Sequence, residues 1–488
     1  MRASVTSPLG WTIALGVSFV ALDGHAEPIA PDVFCQQYAS SPACQGNVVA
    51  CTYCHTSTNP AGWNPYGESL RALLGDLSPQ ELIAELPGAL AMVETEDADG
   101  DGVSNLEEIT NGSLPGDESS VPFEATCPED TSELEYPICD YSPRHVYRKI
   151  HLDVCGQSPS WVDMEGFLAL GVDDQMAALH EALDTCLDSE NWLGKDGVLW
   201  RMGHPKIRPV GSLKAGEDSL DVIPIGDYYH DYQLYVWSQI DDNDARSVLT
   251  ADFFVERTDD PTSYPVVAEA DADCGNACVE PMQPERRVGN ITTRWFLSYF
   301  VMFTSLPRSA AAQAYRAYLG YDIAKDQGLF PITVANGYPI DEPADYDDKG
   351  VDEPTCAVCH TTLDPLTYAY RNYNGLVAAA SMGRAQYAPG RLEFLEPNNT
   401  LLHQTPESGY VLGQAYDDLV QWGQIAADSD DFAVAAARDY WRLFIGRDPL
   451  TNEQAEFEAL WQGLKTEHGY SIEKMLHALI ETEAYGAI

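Results

Sequence analysis

Cys356-Ala-Val-Cys359-His360 is the stretch that decides how the rest of the chain is interpreted. Two cysteines three residues apart, with a histidine directly after the second, are the attachment signature of a c-type haem. Each thiol adds across one vinyl group of the porphyrin. The turn between the cysteines then places His360 under the iron as its proximal ligand. The stretch therefore predicts a covalently bound haem in the C-terminal part of the chain.

The same pattern recurs near the N-terminus as Cys51-Thr-Tyr-Cys54-His55. A Cys-x-x-Cys pair without the histidine would indicate a zinc site or a redox pair, and zinc or disulfide pairs are the alternative interpretation here. Two complete copies of the motif in one chain favour haem at both. We therefore predict that His55 and His360 each bind a haem iron.

The first residues resemble a secretory signal peptide. Arg2 supplies a positive charge, residues 11–22 form a short apolar run, and Gly24-His25-Ala26 offers small residues for cleavage before Glu27. The apolar run is too short to span a bilayer as a helix. No later segment is both long enough and apolar enough to do so. The pattern predicts export to the periplasm, the medium or the cell surface. Export agrees with the haem prediction, because such haems are attached outside the bacterial cytoplasm.

Charge restricts the partners that the protein can bind. The 488 residues carry 76 acidic and 27 basic side chains, for a formal net charge of −49. Such an acidic chain is unsuited to nucleic acid, whose phosphates require lysine and arginine. It suits a redox partner protein with a basic face, which the electric field would steer into contact. Solubility in a salty or extracellular medium is the simpler explanation of the same charge.

Eight of the 12 cysteines lie outside the two motifs. An even number of cysteines in an exported chain predicts disulfides, although the sequence alone does not determine their connectivity. Pairing of neighbours along the chain is our expectation. It gives the pairs 35–44, 127–139, 155–186 and 274–278.

Residues 97–108 match the calcium-binding loop of EF-hand proteins at every position. In that pattern, carboxylates at positions 1, 3 and 5 converge on one ion, a glycine at position 6 permits the sharp turn, and a glutamate at position 12 closes the site. The alternative is an acidic surface loop without an ion. The predicted calcium ligands are Asp97, Asp99, Asp101, the Val103 carbonyl, Asn105 and Glu108.

Helical signals dominate the chain and predict a mainly α fold. Examples are the proline after Ser78, the capping box begun by Ser160 and the cap at Ser471. Residues 291–319 are also predicted to be helical, and the aromatic run at 228–237 is predicted to be core. The predicted segments are a signal peptide (1–26), a cytochrome c-like haem domain with the calcium loop (27–116), a linker (117–140), a mainly helical middle domain (141–345) and a second haem-binding domain with C-terminal helices (346–488).

Three stretches resemble the multidomain c-type cytochromes of planctomycetes and myxobacteria. The first is the second haem motif continued through Asp364-Pro365 and residues 368–375; the others are 147–159 and the end of the chain from Gly446-Arg447. Residues 27–116 resemble a small calcium-loop cytochrome c domain fused in front. Because the activity of that family is unassigned, the resemblance implies helical architecture and haem binding but no reaction.

The sixth ligand of each iron decides whether a haem carries electrons or reacts, because a closed site favours electron transfer. For the first haem we predict Met92, which is the only methionine between residues 27 and 116. For the second we predict Met382, with His403 as an alternative. Other histidines stay open as ligands: His145, His151, His180, His204, His230, His468 and His477.

Three functions are compatible with these patterns. The first is an electron carrier with two haems and both irons closed. The second is a dihaem peroxidase- or oxidase-type enzyme, in which one open iron receives electrons from the other haem. In the third, the long middle segment binds a substrate or partner protein and the haems remove its electrons. We predict the electron carrier, because no motif supplies the distal acid or base that the enzyme requires.

Overall fold

Helices form nearly all of the regular structure that the computed structural model describes. It describes residues 30–39, 41–44, 49, 51–56, 62–75, 77, 79–120, 141–207, 229–256, 258, 260–267, 282–301, 304–323, 344–375 and 386–486. The predicted mainly α fold is confirmed. Across these residues, no helix is both long enough and apolar enough to span a bilayer.

The helices fall into two sets on either side of residues 121–140. The first set is α1 (Ala30–Gln37), α2 (Pro65–Leu74), α3 (Pro79–Val93) and α4 (Asn105–Asn111). The second set is α5 (Pro143–Asp153), α6 (Trp161–Leu168), α7 (Val172–Leu187), α8 (Glu190–Leu193), α9 (Val198–Ile207), α10 (Tyr229–Trp237), α11 (Ser247–Thr250), α12 (Arg294–Phe296), α13 (Arg308–Ala314), α14 (Pro354–Thr367), α15 (Arg391–Leu395), α16 (Leu419–Asp428), α17 (Asp430–Ile445), α18 (Gln454–Thr466), α19 (Ile472–Leu479) and α20 (Glu483–Gly486).

Strands are short and pair only locally in the described chain. Each of three antiparallel ladders has two strands. They are β1 (Phe254–Val255) with β2 (Val266–Val267), β3 (Tyr373–Asn374) with β4 (Gln386–Tyr387), and β5 (Gly409–Val411) with β6 (Gln414–Tyr416).

The first set of helices packs around a small core of its own. Helix α3 begins at Pro79, close to its predicted start, and buries Leu86 and Leu90 against α1 and α2. Phe34 on α1 and Tyr53 from the first haem motif belong to the same core. The motif is therefore part of the hydrophobic core of this region.

The second set shares one larger core, which closes the two ends of the region against each other. The Tyr141 hydroxyl donates to the Ile480 carbonyl (2.7 Å), and the Ser142 amide donates to the Gly486 carbonyl (3.0 Å). Residues on both sides of position 345, such as Trp295 and Trp441, belong to this core. The predicted division into domains stays a prediction.

The predicted caps at Ser160 and Ser471 are confirmed, and Ser78 lies outside the described residues. The Ser160 hydroxyl accepts from the Asp163 amide while the Asp163 carboxylate accepts from the Ser160 amide, as a capping box requires. The Ser471 hydroxyl accepts from the Lys474 amide at the start of α19. These local signals are reliable because they satisfy amides that have no partner within the helix.

The predicted helix over 291–319 is interrupted. A 3₁₀ turn (Gly289–Thr292) leads into α12, a π-helical turn (Leu297–Val301) follows, and α13 begins after Pro307. Proline lacks the amide that a continuous helix would use, and it therefore marks a break. The aromatic run behaves as predicted in its described part, since Tyr232 and Tyr235 are each 4% exposed in the core.

Two of the four predicted disulfides are confirmed. Cys35 bonds to Cys44, and Cys155 bonds to Cys186, which joins the end of α5 to α7. The other two predicted pairs, 127–139 and 274–278, lie outside the described residues.

Candidate functional site

The histidine of the first motif is oriented by a backbone carbonyl. Residues Cys51–Tyr53 form a 3₁₀ turn, and the His55 Nδ1 atom lies 3.1 Å from the Gly62 carbonyl oxygen. Because a carbonyl only accepts, Nδ1 carries the proton and Nε2 is the basic nitrogen. Burial lowers the pKa of His55, and the hydrogen bond to Gly62 opposes that shift. A neutral imidazole with an available Nε2 is the form that binds a metal.

Asn64 fastens the first motif to helix α2. Its Oδ1 accepts from the Gly67 amide (2.8 Å) and so caps the helix, while its Nδ2 donates to the Thr52 and Tyr53 carbonyls (3.2 and 2.9 Å). Gly67 is required at this contact, because a Cβ atom there would lie 1.9 Å from the Cys54 carbonyl oxygen. The stretch Asn64 to Gly67 therefore holds the backbone between the two cysteines.

The second motif lies on one helix. Helix α14 carries Cys356, Cys359 and His360 in its first half, and Pro354 occupies its first turn. The His360 Nδ1 atom lies 2.7 Å from Oδ1 of Asp364, one helical turn further on. A carboxylate therefore takes the place that a backbone carbonyl has in the first motif.

Asp364 belongs to a buried ionic network. Its side chain is fully buried, and Arg308 from the start of α13 donates to both of its oxygens (2.7 and 2.8 Å). Arg308 also donates to both oxygens of Asp347 (2.7 and 3.0 Å). Burial lowers the pKa of Arg308, but its hydrogen bonds to Asp364 and Asp347 raise that pKa above its usual range. Two carboxylates share one guanidinium, so the group keeps one net negative charge next to His360.

The two cysteines of the second motif are thiols in the structure. Cys356 and Cys359 are not joined by a disulfide. Burial raises the pKa of Cys359, and the neighbouring Cys356 thiol adds a smaller rise. Among the described residues, Cys356, Cys359 and His360 do not converge as a group of metal ligands; the aspartates of the calcium loop do. A structural zinc site would need four such donors that converge on one point.

The predicted calcium loop is folded around its aspartates. Ligand oxygens of Asp97, Asp99 and Asp101 all lie within 4.8 Å of one another. The Asp97 carboxylate accepts from the amides of Gly100 (2.7 Å) and Gly102 (3.0 Å). Gly102 has φ +100°, a conformation that favours glycine. The loop therefore has the turn that the sequence pattern predicts.

Glu108, at the last position of the loop, is completely buried. One of its oxygens accepts from the Ser113 hydroxyl (3.3 Å), and the other has no hydrogen-bond partner within the described chain. Burial raises the pKa of Glu108 to about 8, and the negative charges of Asp99 and Asp101 add to that shift. One oxygen each of Asp99 and Asp101 is likewise buried without a described partner.

Asn105 supports the loop from inside. Its side chain is fully buried, its Nδ2 donates to the Val93 carbonyl (2.7 Å), and its Oδ1 accepts from the Ala98 amide (3.2 Å). The side chain thus joins the end of α3 to the start of the loop. Because its oxygen keeps a second lone pair, the role of Asn105 as a calcium ligand stays a prediction, as does that of the Val103 carbonyl.

No described contact joins a candidate for the sixth ligand to either motif. Met92 lies on the last turn of α3 and is 66% exposed, and Met382 lies outside the described residues. The His403 Nε2 atom donates to the Glu396 carbonyl (2.9 Å), and His180 and His477 lie against each other through their Nδ1 atoms (2.7 Å). The ligation by Met92 and Met382 stays a prediction.

Two groups of residues at these sites were not predicted from the sequence. Asp364 is four residues after His360, so the helical spacing could have indicated that the two side chains meet. Arg308 and Asp347 lie far from Asp364 in the chain, and no local signal connects them. The same holds for Ser113, which contacts Glu108 and also accepts from the Tyr53 hydroxyl through its carbonyl (3.2 Å).

Comparison of the chain with protein-family models, with curated proteins and with solved structures gave no match in any of the three. The resemblance to multidomain cytochromes therefore stays a prediction.

Proposed function

We propose that this protein is an exported dihaem c-type cytochrome that transfers electrons through two covalently bound haems. One haem would be held by Cys51, Cys54 and His55, and the other by the motif from Cys356 to His360. A bound haem supplies a one-electron carrier whose reduction potential depends on its axial ligands and surroundings. The chain supplies the attachment, the proximal ligands and the charges around them.

One observation carries this proposal: in both motifs the Nδ1 atom of the histidine is engaged by an acceptor. His55 donates to the Gly62 carbonyl, and His360 donates to the Asp364 carboxylate. Metal-binding histidines characteristically use one ring nitrogen in this way, which fixes the tautomer and directs the other nitrogen to the metal. Neither Nε2 atom has a hydrogen-bond partner in the part of the chain that the structure describes.

The two acceptors differ in charge, which would separate the reduction potentials of the two haems. A carboxylate makes the imidazole more basic than a carbonyl does, and a more basic ligand stabilises ferric iron relative to ferrous iron. We therefore assign the lower reduction potential to the haem of His360 and the higher one to the haem of His55.

The environment of the chain agrees with export and with a basic partner. The disulfides Cys35–Cys44 and Cys155–Cys186 suit an oxidising compartment. A net charge of −49 would steer a redox partner that has a basic face, and the rate of association would fall with added salt.

The Asp364–His360 pair also favours a second candidate function, a dihaem enzyme that reacts at the C-terminal haem. If the sixth position of that iron is open, a low reduction potential would favour the reduction of oxygen or peroxide there. The visible spectrum of the resting protein separates the two functions. Low-spin iron at both haems is expected of the carrier, and a high-spin fraction is expected of the enzyme.

Mass spectrometry of the protein purified from the exported fraction tests the proposal. The intact mass should show two added haems and the loss of residues 1–26. Proteolytic peptides containing residues 51–55 and 356–360 should each carry one haem. Free thiols or a disulfide at either pair of cysteines would overturn the proposal for that site.

A further inference from the structure

The loop at residues 97–108 combines converging carboxylates with buried oxygens that have no described hydrogen-bond partner. Its three aspartates place carboxylate oxygens within 4.8 Å of one another, and the fourth carboxylate, Glu108 at the last position of the loop, is fully buried. One Glu108 oxygen has no hydrogen-bond partner in the described structure, and the same is true of one buried oxygen in Asp99 and one in Asp101. Three buried oxygens without described partners thus lie on residues of one twelve-residue loop.

Such an arrangement is costly without a cation. A buried carboxylate needs a partner, because burial removes water and neighbouring like charges repel. Ca²⁺ prefers six to eight oxygen ligands from carboxylates and carbonyls, with one carboxylate commonly bidentate. The described chain offers four carboxylates and the Val103 carbonyl in one loop.

We propose that residues 97–108 bind one Ca²⁺ ion through Asp97, Asp99, Asp101 and Glu108, and that this ion fixes the first haem motif through Ser113 and Tyr53. Binding of the ion does not depend on haem. The effect of the ion on the haem of the first motif rests on the proposed function.

The connection consists of two hydrogen bonds between buried residues. The Ser113 hydroxyl donates to Glu108 (3.3 Å), and the Ser113 carbonyl accepts from the Tyr53 hydroxyl (3.2 Å). Ser113 is 1% exposed and Tyr53 is 3% exposed, so water competes little for these contacts. Tyr53 stands between the two cysteines of the motif. An ion that orders Glu108 would therefore order the backbone that carries the haem thiols.

A second contact follows directly along the chain. Gly116 lies against the Asn64 side chain, where a Cβ atom on Gly116 would come within 2.6 Å. Asn64 holds the Thr52 and Tyr53 carbonyls. The segment 113–116 thus contacts the first motif directly at Tyr53 and indirectly through Asn64. This route differs from one through Met92, whose side chain is mostly exposed.

Calorimetric titration of CaCl2 into the chelator-treated full-length protein tests the ion site. The wild type should bind one ion and gain thermal stability from it, because the ion binds the folded state. Glu108→Gln should weaken binding at least tenfold. Glu107→Gln, a matched change at the exposed neighbouring residue, should leave the affinity within twofold. The loop site is overturned if the wild type binds no calcium or if both variants bind equally well.

A second variant protects this test against a folding defect of Glu108→Gln. Asp97→Asn alters an exposed ligand at the other end of the loop, and it should also weaken calcium binding at least tenfold. Unchanged affinity in a folded Asp97→Asn protein would overturn the assigned ligand set.

Hydrogen exchange of the peptide that spans residues 51–56 tests the connection, and it does not require haem. Calcium should slow exchange in the wild type, and Tyr53→Phe should abolish most of that slowing while leaving calcium affinity unchanged. Tyr38→Phe is the matched control. The Tyr38 hydroxyl belongs to the same core, but it donates to the Glu94 carboxylate (3.1 Å) and takes no part in the contacts from Glu108 through Ser113 to Tyr53. Equal slowing in the wild type and Tyr53→Phe would overturn the route.

The same proteins separate this proposal from the haem proposal. If mass spectrometry finds haem at residues 51–55, calcium should also shift the absorption spectrum of that haem in the wild type and in Tyr38→Phe, but not in Tyr53→Phe. If no haem is found, the calorimetry and the exchange experiment still decide the ion site and the route.

Discussion

The two haem motifs are supported in physically different ways. The first lies in a small core, and neutral groups hold it: the Gly62 carbonyl, the Asn64 amide and a close backbone contact at Gly67. The second lies on α14 against a large core, and buried charges hold it: Asp364, which Arg308 joins to Asp347. The same five-residue pattern therefore has two different environments.

This difference matters because the two kinds of support respond to different changes. Neutral, tightly packed groups depend on shape, so added volume disturbs them. The stability of a buried charge depends on its partner. Loss of one charge leaves the other uncompensated in the protein interior, where water cannot solvate it. Of the two motif histidines, only His360 donates to a carboxylate.

Arg308→Ala is expected to have the largest effect. It leaves Asp364 and Asp347 without their shared cation, and breaking such a buried pair costs about 3–5 kcal/mol in the free energy of unfolding. The matched control is Arg442→Ala, whose pair with Asp448 is about half exposed and should contribute less than about 1 kcal/mol. Urea unfolding followed by tryptophan fluorescence measures both. Equal losses in the two variants would contradict the ionic support of the second motif.

Gly67→Ala should have the next largest effect, and it should be confined to the first motif. The added methyl group would meet the Cys54 carbonyl, so α2 must move, at a cost of about 1–3 kcal/mol. Gly88→Ala is the control: its Cβ atom meets nothing within 4 Å in α3, and alanine should stabilise the helix by up to about 1 kcal/mol. Hydrogen exchange of residues 62–75 reports the change locally. Faster exchange in both variants would argue against a specific close contact.

Asp364→Asn tests whether the charge on the hydrogen-bond acceptor of His360 sets the reduction potential of the C-terminal haem. Of the three changes, it should have the smallest effect. Asparagine keeps an acceptor for His360 but removes its charge, so the potential of the C-terminal haem should rise by about 59 mV, a tenfold change for one electron. Asp347→Asn removes a carboxylate from the same arginine without touching His360, and it should raise the potential less. Spectroelectrochemistry measures both variants. Equal shifts would mean that only the net charge of the network matters.

The sequence predicted the local features of both sites because these depend on short stretches of chain. The mainly α class, the caps at Ser160 and Ser471 and the turn at Gly102 all follow from neighbouring residues. The Asp364–His360 contact also lies within one helical turn, although it was not predicted.

Long-range contacts could not be predicted in the same way. The partnership of Arg308 with Asp364 joins residues 56 positions apart, and that of Tyr53 with Ser113 joins residues 60 positions apart. Many arginines and tyrosines in the chain could have filled these roles, and only the packing of the helices selects among them. The π-helical turn at Leu297–Val301 was not predicted either, and its residues Leu297, Phe300 and Val301 are buried in the larger core.

A potentiometric titration of the exported protein, followed in the visible spectrum, tests the central claim most directly. Two haems with different proximal hydrogen bonds should give two one-electron transitions at separate potentials. Of these, the lower should be the transition that Asp364→Asn raises, while the higher should stay in place. A single one-haem transition, or a lower transition that is indifferent to Asp364→Asn, would contradict the account.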